Sequence, residues 1–484
     1  MTSTTMPELT SELPDLQGII TRGYAELPGA CFVLLAIRDA ASARKWIGSL
    51  TIMTAAQKPT VEAVNIAFTY TGLSELGLAK DVRGGFSEEF IDGMSAPSRQ
   101  LALGDTGTSE PSRWEWGGPG TPAVHVLLML YAAGQTGLDG LYTRMSGGFA
   151  SGGVEQIGRA LPAMAHVDAK TGSVKEHFGF ADALSQPFIE GLGKDAPDFL
   201  TVKTGEIILG YPNEYGKLTE RPLVPAASAG AQMLPEEPDA SGARDLGRNG
   251  TYLVFRHLDQ DTCGFWKYLE VVTRDRDGLS TKDDRIRLAS KMVGRWPSGA
   301  PLMLTPDVDE PEKRLINDFC YQQEDPRGLR CPIGSHIRRT NPRDSLGPDP
   351  GSAKSIAVNK RHQLLRRGRI FGKPVAQSMD PDEIMNGDPA GERGLYFICL
   401  NANISRQFEF VQHSWANNPK FGGLYSDPDP LTGARNTTAE PDAFTIPADP
   451  VRRRVTGLPE FVTVRGGGYF FLPGIRAIRY LAAL

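Results

Sequence analysis

One pattern occurs twice in this chain. "GACFVLLAIRDAASARKWIGSL" (29–50) runs glycine, apolar strand, acidic turn, then an amphipathic helix carrying a tryptophan. "NGTYLVFRHLDQDTCGFWKYLEVV" (249–272) repeats that order. A unit that recurs at this scale points to a duplicated domain. The length of 484 residues agrees, since one core rarely serves so long a chain.

Around each copy the pattern continues. In the first half, "AVNIAFTYTG" (63–72) reads as a strand, with "LSELGLA" opening a helix after it. "PAVHVLLMLYA" (122–132), helix-like "GLDGLYTRMSG" and "RALPAMAHVDA" make a second strand–helix–strand unit. In the second half come strand-like "HQLLRRGRIFG" (362–372) and "GLYFICLNANI" (394–404), then helix-like "SRQFEFVQHSWANN" (405–418). "EFVTVRGGGYFFLPG" (460–474) reads as a broken strand pair. Between the halves, residues 212–250 are rich in Pro, Gly and Ala with little periodicity, and read as a long irregular connection. A second loop covers residues 341–355. This order favours two α+β domains with antiparallel sheets, over residues 1–225 and 245–484.

Charge narrows the partners. A net charge of −5 gives no reason to expect nucleic acid or an anionic membrane. No apolar run reaches the roughly eighteen residues of a membrane span. The start, "MTSTTMPELTSELPDLQG", has neither a basic opening nor an apolar core, so a cytoplasmic location is expected. Five cysteines without a CxxC pair argue against a disulfide framework or a cysteine zinc site.

Three short segments carry candidate chemistry. In "EHFGFADALSQPFIEG" (176–191), Asp182 stands in an apolar run, where an ionised group is costly unless paired or used. It reads either as an Asx turn or as a group held there to move a proton. In "CPIGSHIRRTNPRDS", His336 follows turn residues and precedes Arg338, Arg339 and Arg343. It reads either as a polar loop histidine or as one axial metal ligand, with arginines for anionic groups such as propionates. In "LLRRGRIFG", Arg366 and Arg367 are either solvated edge-strand charges or fixed cations. Singly, each bland reading holds. Together they supply what a haem peroxidase needs: an axial ligand, an acid–base group and a cation for the charge on a departing oxygen. Competing motifs are incomplete. "RGGGYFF" lacks GK[ST], "GLGKDA" lacks the third glycine of a dinucleotide fingerprint, and there is no GxSxG.

On these segments the chain resembles the dye-decolourising peroxidase family, in its larger bacterial and fungal-like branch. "HFGFADALSQP" is similar to the family's distal motif, "CPIGSHIRRTNPR" to its proximal motif, and "LLRRGRIFG" to the segment with its distal arginine. "DLQGI", "AFTYTGLSELGL" and "GTYLVFRHLDQD" extend the likeness over almost the whole chain. The resemblance implies two ferredoxin-like domains with one haem b mainly in the second. It implies Asp182 as distal acid–base, Arg366 as distal arginine (Arg367 is the poorer match) and His336 as axial iron ligand. Arg343 would meet a haem propionate, and Leu395 and Phe397 would line the distal face. A carboxylate behind the axial imidazole raises its basicity. "DPDPLTG" makes Asp429 the first choice for that role, with Glu409 in "QFEFVQ" as the alternative. The function implied is hydrogen-peroxide-dependent oxidation of dyes, phenols and, for some members, Mn(II), in one-electron steps. The alternative is a haem-binding or haem-handling protein with little turnover. Sequence is compatible with a monomer or an oligomer. One departure stands out: the glycine that follows the distal aspartate in the family is Ala183 here.

Overall fold

The computed structural model describes residues 8–168, 172–193, 196–238, 242–435 and 442–484. The repeated segment folds the same way twice. In the first half it forms β1 (Gly29–Ile37) and α1 (Ala40–Ser49). Asp39 caps α1 by accepting the Ser42 N–H at 2.7 Å. In the second half the strand Thr251–Gln260 leads into the helix Thr262–Val272, capped by Asp261 accepting the Gly264 N–H at 2.9 Å. The acidic turn is thus a helix cap in both copies, satisfying a donor that has no intrahelical partner. Trp46 is buried against the first-half sheet, and Trp266 is buried in a cluster with Phe178, Phe180 and Phe265.

The remaining first-half strands are β2 (Glu62–Phe68), β3 (Val126–Ala132), β4 (Val154–Gln156) and β5 (Leu161–Met164), with α2 (Gln135–Ser146) between β3 and β4. Spatial order is β2–β3–β1–β4, all antiparallel, with β5 extending the pairing of β1. The second half continues from β6 (Thr251–Gln260) and α3 (Thr262–Val272) to a strand split into β7 (Leu365–Arg366) and β8 (Arg369–Gly372), then β9 (Arg393–Asn401) and β10 (Val462–Leu472). Its order is β7/β8–β9–β6–β10, again antiparallel. Both halves are ferredoxin-like α+β units. A contact between Phe471 of β10 and Phe68 of β2 joins them into one ten-stranded sheet.

One sequence expectation is corrected and one refined. Residues 460–474 contain one strand, β10, and not a broken pair. Its three glycines stay in strand because side chains lie against them. A Cβ on Gly466 would meet Trp116 Nε1 at 2.5 Å, and one on Gly467 would meet Met94 Sδ at 2.5 Å. The strand bends at a register shift between His257 and Leu258 of its partner. The segment 405–418 is helical but wide-wound, with π-helical turns over Ser405–Glu409 and Val411–Ala416. Among its described residues, the connection expected over residues 212–250 holds a two-residue pairing, Leu223–Val224 with Arg244–Asp245, and one 3-10 turn over Ala231–Met233.

Candidate active site

A cavity of about 340 Å³ is lined by segments of both halves. It has the size of a small-molecule pocket, for which roughly 300–1,000 Å³ is usual. Asp182, His336, Arg343, Arg366, Leu395 and Phe397 all line it. Strand alternation puts several of them there. On β9, Leu395 and Phe397 face the cavity while Tyr396 and Ile398 enter the core. On β7, Leu365 is buried in the core and Arg366 lines the cavity.

His336 opens a short helix, α4 (His336–Thr340). Its Nδ1 lies 2.9 Å from Asp429 Oδ2. Asp429 is fully buried, and its other oxygen accepts the N–H groups of Leu431 and Thr432 at 2.9 Å each. Burial opposes the ionised carboxylate, but His336, the Thr432 N–H and Arg339 outweigh it and hold Asp429 well below the ordinary carboxylate range. Burial likewise disfavours the imidazolium, and the Asp429 charge and hydrogen bond overcome this and raise His336. An ionised carboxylate only accepts, so Nδ1 carries the proton. In the neutral ring Nε2 then keeps a free lone pair, which suits a metal.

Glu409, the alternative partner, is elsewhere. It accepts from Tyr469 Oη at 2.8 Å and pairs with Arg99 at 3.0 Å. Two of the three arginines expected near the anionic groups are also turned away. Arg338 pairs with Asp325 at 3.0 Å, and Arg339 donates to the carbonyls of Trp415, Ala416, Asn418 and Asp427. Both hold loops behind the helix. Arg343 alone of the three lines the cavity, its guanidinium 3.9 Å from the Phe319 ring centre and donating to Asn317 O at 2.6 Å.

Arg295, which sequence reading missed, lines the same cavity and donates to Gly299 O and to Asn317 Oδ1 at 2.6 Å. "GRWPSG" carries no motif that marks it. Burial pushes Arg343 down and Arg295 down to about 10. Among the described residues no carboxylate pairs with either. Two desolvated guanidiniums without an anion form a set suited to a ligand bearing carboxylates.

The distal loop comes from the first half and is seated on the second. Phe178 and Phe180 join a core with Phe265, Trp266 and Phe461. Trp266 Nε1 donates to Phe178 O at 3.1 Å, and the Ala181 N–H to Pro297 O at 3.1 Å. Gly299 permits this approach: a Cβ there would meet Leu184 Cδ1 at 2.3 Å. Asp182 is therefore not sunk in apolar surroundings. The phenylalanines before it are buried, and its own side chain is 33% exposed toward the cavity. Asp182 Oδ1 accepts the Ala183 N–H at 2.6 Å and lies 3.4 Å from Arg366 Nη1. Arg366 is steadied by Ser185 O at 3.2 Å, and its N–H by Gln186 Oε1 at 2.8 Å. Ala183 has φ +59°, the left-handed conformation that favours glycine. Arg367 takes no part in the cavity; it donates to Ile19 O and Ile20 O and ties down the N-terminal segment.

This is the frame of a haem-pocket protein: a half-buried histidine backed by a buried carboxylate, two desolvated guanidiniums that line the same cavity, and an aspartate–arginine pair that also faces it. No family model matches the chain. Individual proteins do. The chain is 30% identical to dye-decolorizing peroxidase msp1 of Mycetinis scorodonius, over 96% of this chain and 87% of the other. It is 28% identical to the multifunctional dye peroxidase DyP2 of an Amycolatopsis species, over 98% and 97%. Among solved structures, a dye-decolorizing peroxidase in complex with 2,6-dimethoxyphenol superposes with a TM-score of 0.77 at 27% identity, covering 98% of this chain and 99% of that one. A fungal peroxidase of this type from Auricularia auricula-judae gives 0.76 at 27%, covering 97% and 99%. The chain belongs to the dye-decolourising peroxidase family. It is an enzyme, a haem peroxidase with hydrogen peroxide as electron acceptor.

Proposed function

We propose that the cavity takes one haem b per chain, with His336 Nε2 as the axial ligand and Asp429 as the carboxylate behind it. The donor set supports this. The imidazole presents one free nitrogen, and Arg343 and Arg295 offer two positive groups to the propionates of such a ligand. Residues 1–225 then form the unit that contributes Asp182, and residues 245–484 the unit with most haem contacts. A bound haem would supply the iron at which peroxide is split, and would store the two oxidising equivalents that peroxide delivers and donors consume one at a time.

The chain's own residues handle the proton and the charge. Asp182 accepts a proton from one peroxide oxygen and returns it to the other. Arg366, beside it, stabilises negative charge on the departing oxygen. Leu395 and Phe397 give this wall an apolar surface that limits water. The donors proposed are aromatic dyes and phenols, with Mn(II) as a further donor. Among the described residues no group of three or more His, Cys, Asp or Glu side chains is arranged to bind a metal ion. The single observation that carries this reading is the meeting of Asp182, Arg366 and His336, from three distant segments, on one cavity.

The test is a spectrum followed by turnover. Protein supplied with haem should show a Soret band with one haem per chain, and should consume peroxide when 2,6-dimethoxyphenol is added. Absence of the band removes the reading. A band without turnover leaves the haem-handling alternative. The cytoplasmic location belongs to the same proposal and is tested by fractionating cells that express the untagged protein.

A further inference from the structure

Asp182 is not the cavity's only carboxylate: Glu176 lines it too. Glu176 stands six residues before Asp182, at the start of the distal loop. Its Oε2 accepts the Phe178 N–H at 2.9 Å and Gln260 Nε2 at 2.7 Å, and its Oε1 accepts the Phe180 N–H at 3.0 Å. The backbone closes the same turn: the Glu176 N–H donates to Phe180 O at 3.0 Å, and the Gly179 N–H to Glu176 O at 2.9 Å. Gln260 is the last residue of β6 in the second half. The carboxylate is thus the inside of the turn that delivers Asp182, and a tie between the two halves.

We propose that Glu176 is the positioning residue for Asp182, and that its ionised carboxylate holds the distal loop while its protonated form releases it. This rests on Asp182 being the distal acid–base. The reason lies in the donors. All three are neutral N–H groups, and a protonated carboxyl presents an O–H where one of them needs an acceptor.

The surrounding charges leave Glu176 without a cation. On β6, Arg256 is paired with Asp105, and Asp259 with Arg465. His257, on the same strand, is buried without a hydrogen-bond partner for either ring nitrogen. On the packed helix α3, Asp261 caps the N-terminus and Lys267 is exposed. On its own loop, His177 Nε2 meets Phe371 O, and Asp182 faces Arg366. Asp380, near Gly179, is paired with Lys282. Glu460, across the cavity wall, accepts from Ser109 Oγ at 2.8 Å. Among the described residues no ion pair involves Glu176. Burial therefore dominates over the three hydrogen bonds, with Asp182 adding repulsion, and pushes Glu176 up to about 7. The clamp is complete above that pH and weakens as pH falls through it.

The test uses the holoenzyme and two readouts. Infrared difference titration should show a half-buried carboxyl that ionises near neutral pH and is missing in Glu176→Gln. In Gln260→Leu its midpoint should rise by about one pH unit, the scale of one hydrogen bond to a charged group. Rapid mixing with peroxide should give a rate that falls on the acid side with the same midpoint. That ionisation should vanish in Glu176→Gln and move with Gln260→Leu. A residue of merely structural importance would lower the rate without moving the midpoint. A rate profile that ignores both substitutions overturns the proposal, even if the carboxyl titrates as expected. Asp182→Asn is run alongside: an unchanged rate there removes the parent reading of the distal aspartate and is distinct from a failure of Glu176.

Discussion

The two walls of the cavity are built to different tolerances. On the His336 wall, Asp429 is fully buried and accepts three hydrogen bonds, each at 2.9 Å. On the opposing pair, Asp182 is a third exposed, accepts one short bond from its neighbour and stands 3.4 Å from Arg366. Hydrogen bonds to a charged group are worth about 1.5–3 kcal/mol each. Three of them fix the charge and position of Asp429. A group that must take and return a proton cannot be held so firmly, because every donor that locks the carboxylate also opposes its protonation. The tight wall suits a permanent ligand, and the loose one suits a group that changes partners.

The sharpest way to break this contrast is to remove the tight wall. His336→Ala should abolish specific haem retention, or leave a spectrally altered and inactive protein, as read by haem content and the Soret band. Full haem content with normal turnover would show that iron is held from elsewhere.

The loose wall is tested next. Asp182→Asn preserves volume and should retain haem while slowing the reaction with peroxide by roughly a hundredfold or more, the scale of a lost general acid–base. Arg366→Leu should slow the same step through lost charge stabilisation. Because the two side chains meet, the double variant should cost less than the product of the single losses. Rapid-mixing rates for the three proteins decide this, and strictly multiplicative losses would mean that the pair does not act on one peroxide.

A smaller effect separates two carboxylates. Asp429→Asn removes the charge behind His336 and should raise the iron reduction potential and lower turnover about tenfold, with haem still bound. Glu409→Gln should leave the potential where it is, because Glu409 is bonded to Tyr469 and Arg99 and not to His336. Spectroelectrochemical titration of both variants makes the comparison, and the opposite ranking would reverse the assignment.

Much of this fold and site is legible in the sequence. Short continuous apolar runs mark β1, β2, β3 and β9 as strands, and the repeated acidic turn marks two helix starts, because those signals arise within a few residues. The distal and proximal motifs marked Asp182 and His336. What stayed hidden depends on distant neighbours. Gly466–Gly468 look like a strand break until Trp116 and Met94 are seen packing against them. Arg338, Arg339 and Arg343 follow one histidine with nothing local to separate them, yet only Arg343 reaches the cavity. Arg295 carries no motif, and Glu176 opens the distal segment with nothing to distinguish it until Gln260 is seen donating to it from β6.

The last prediction concerns the alanine between the distal aspartate and Leu184. Ala183 adopts φ +59°, where a Cβ crowds the backbone and an L-residue pays about 1–2 kcal/mol relative to its usual conformations. Its N–H is nonetheless committed, donating to Asp182 Oδ1 at 2.6 Å. Glycine at this position would adopt the same backbone without the clash, at the cost of more freedom in the unfolded chain. The first effect is the larger, so Ala183→Gly should stabilise the protein by about 1 kcal/mol, read as a higher denaturant midpoint with an unchanged slope. The peroxide reaction should change little, since the Asp182 carboxylate keeps its bond. A destabilised Ala183→Gly protein would show that the methyl group earns its place by packing in the loose wall, and that this wall is more rigid than the spacing of Asp182 and Arg366 implies.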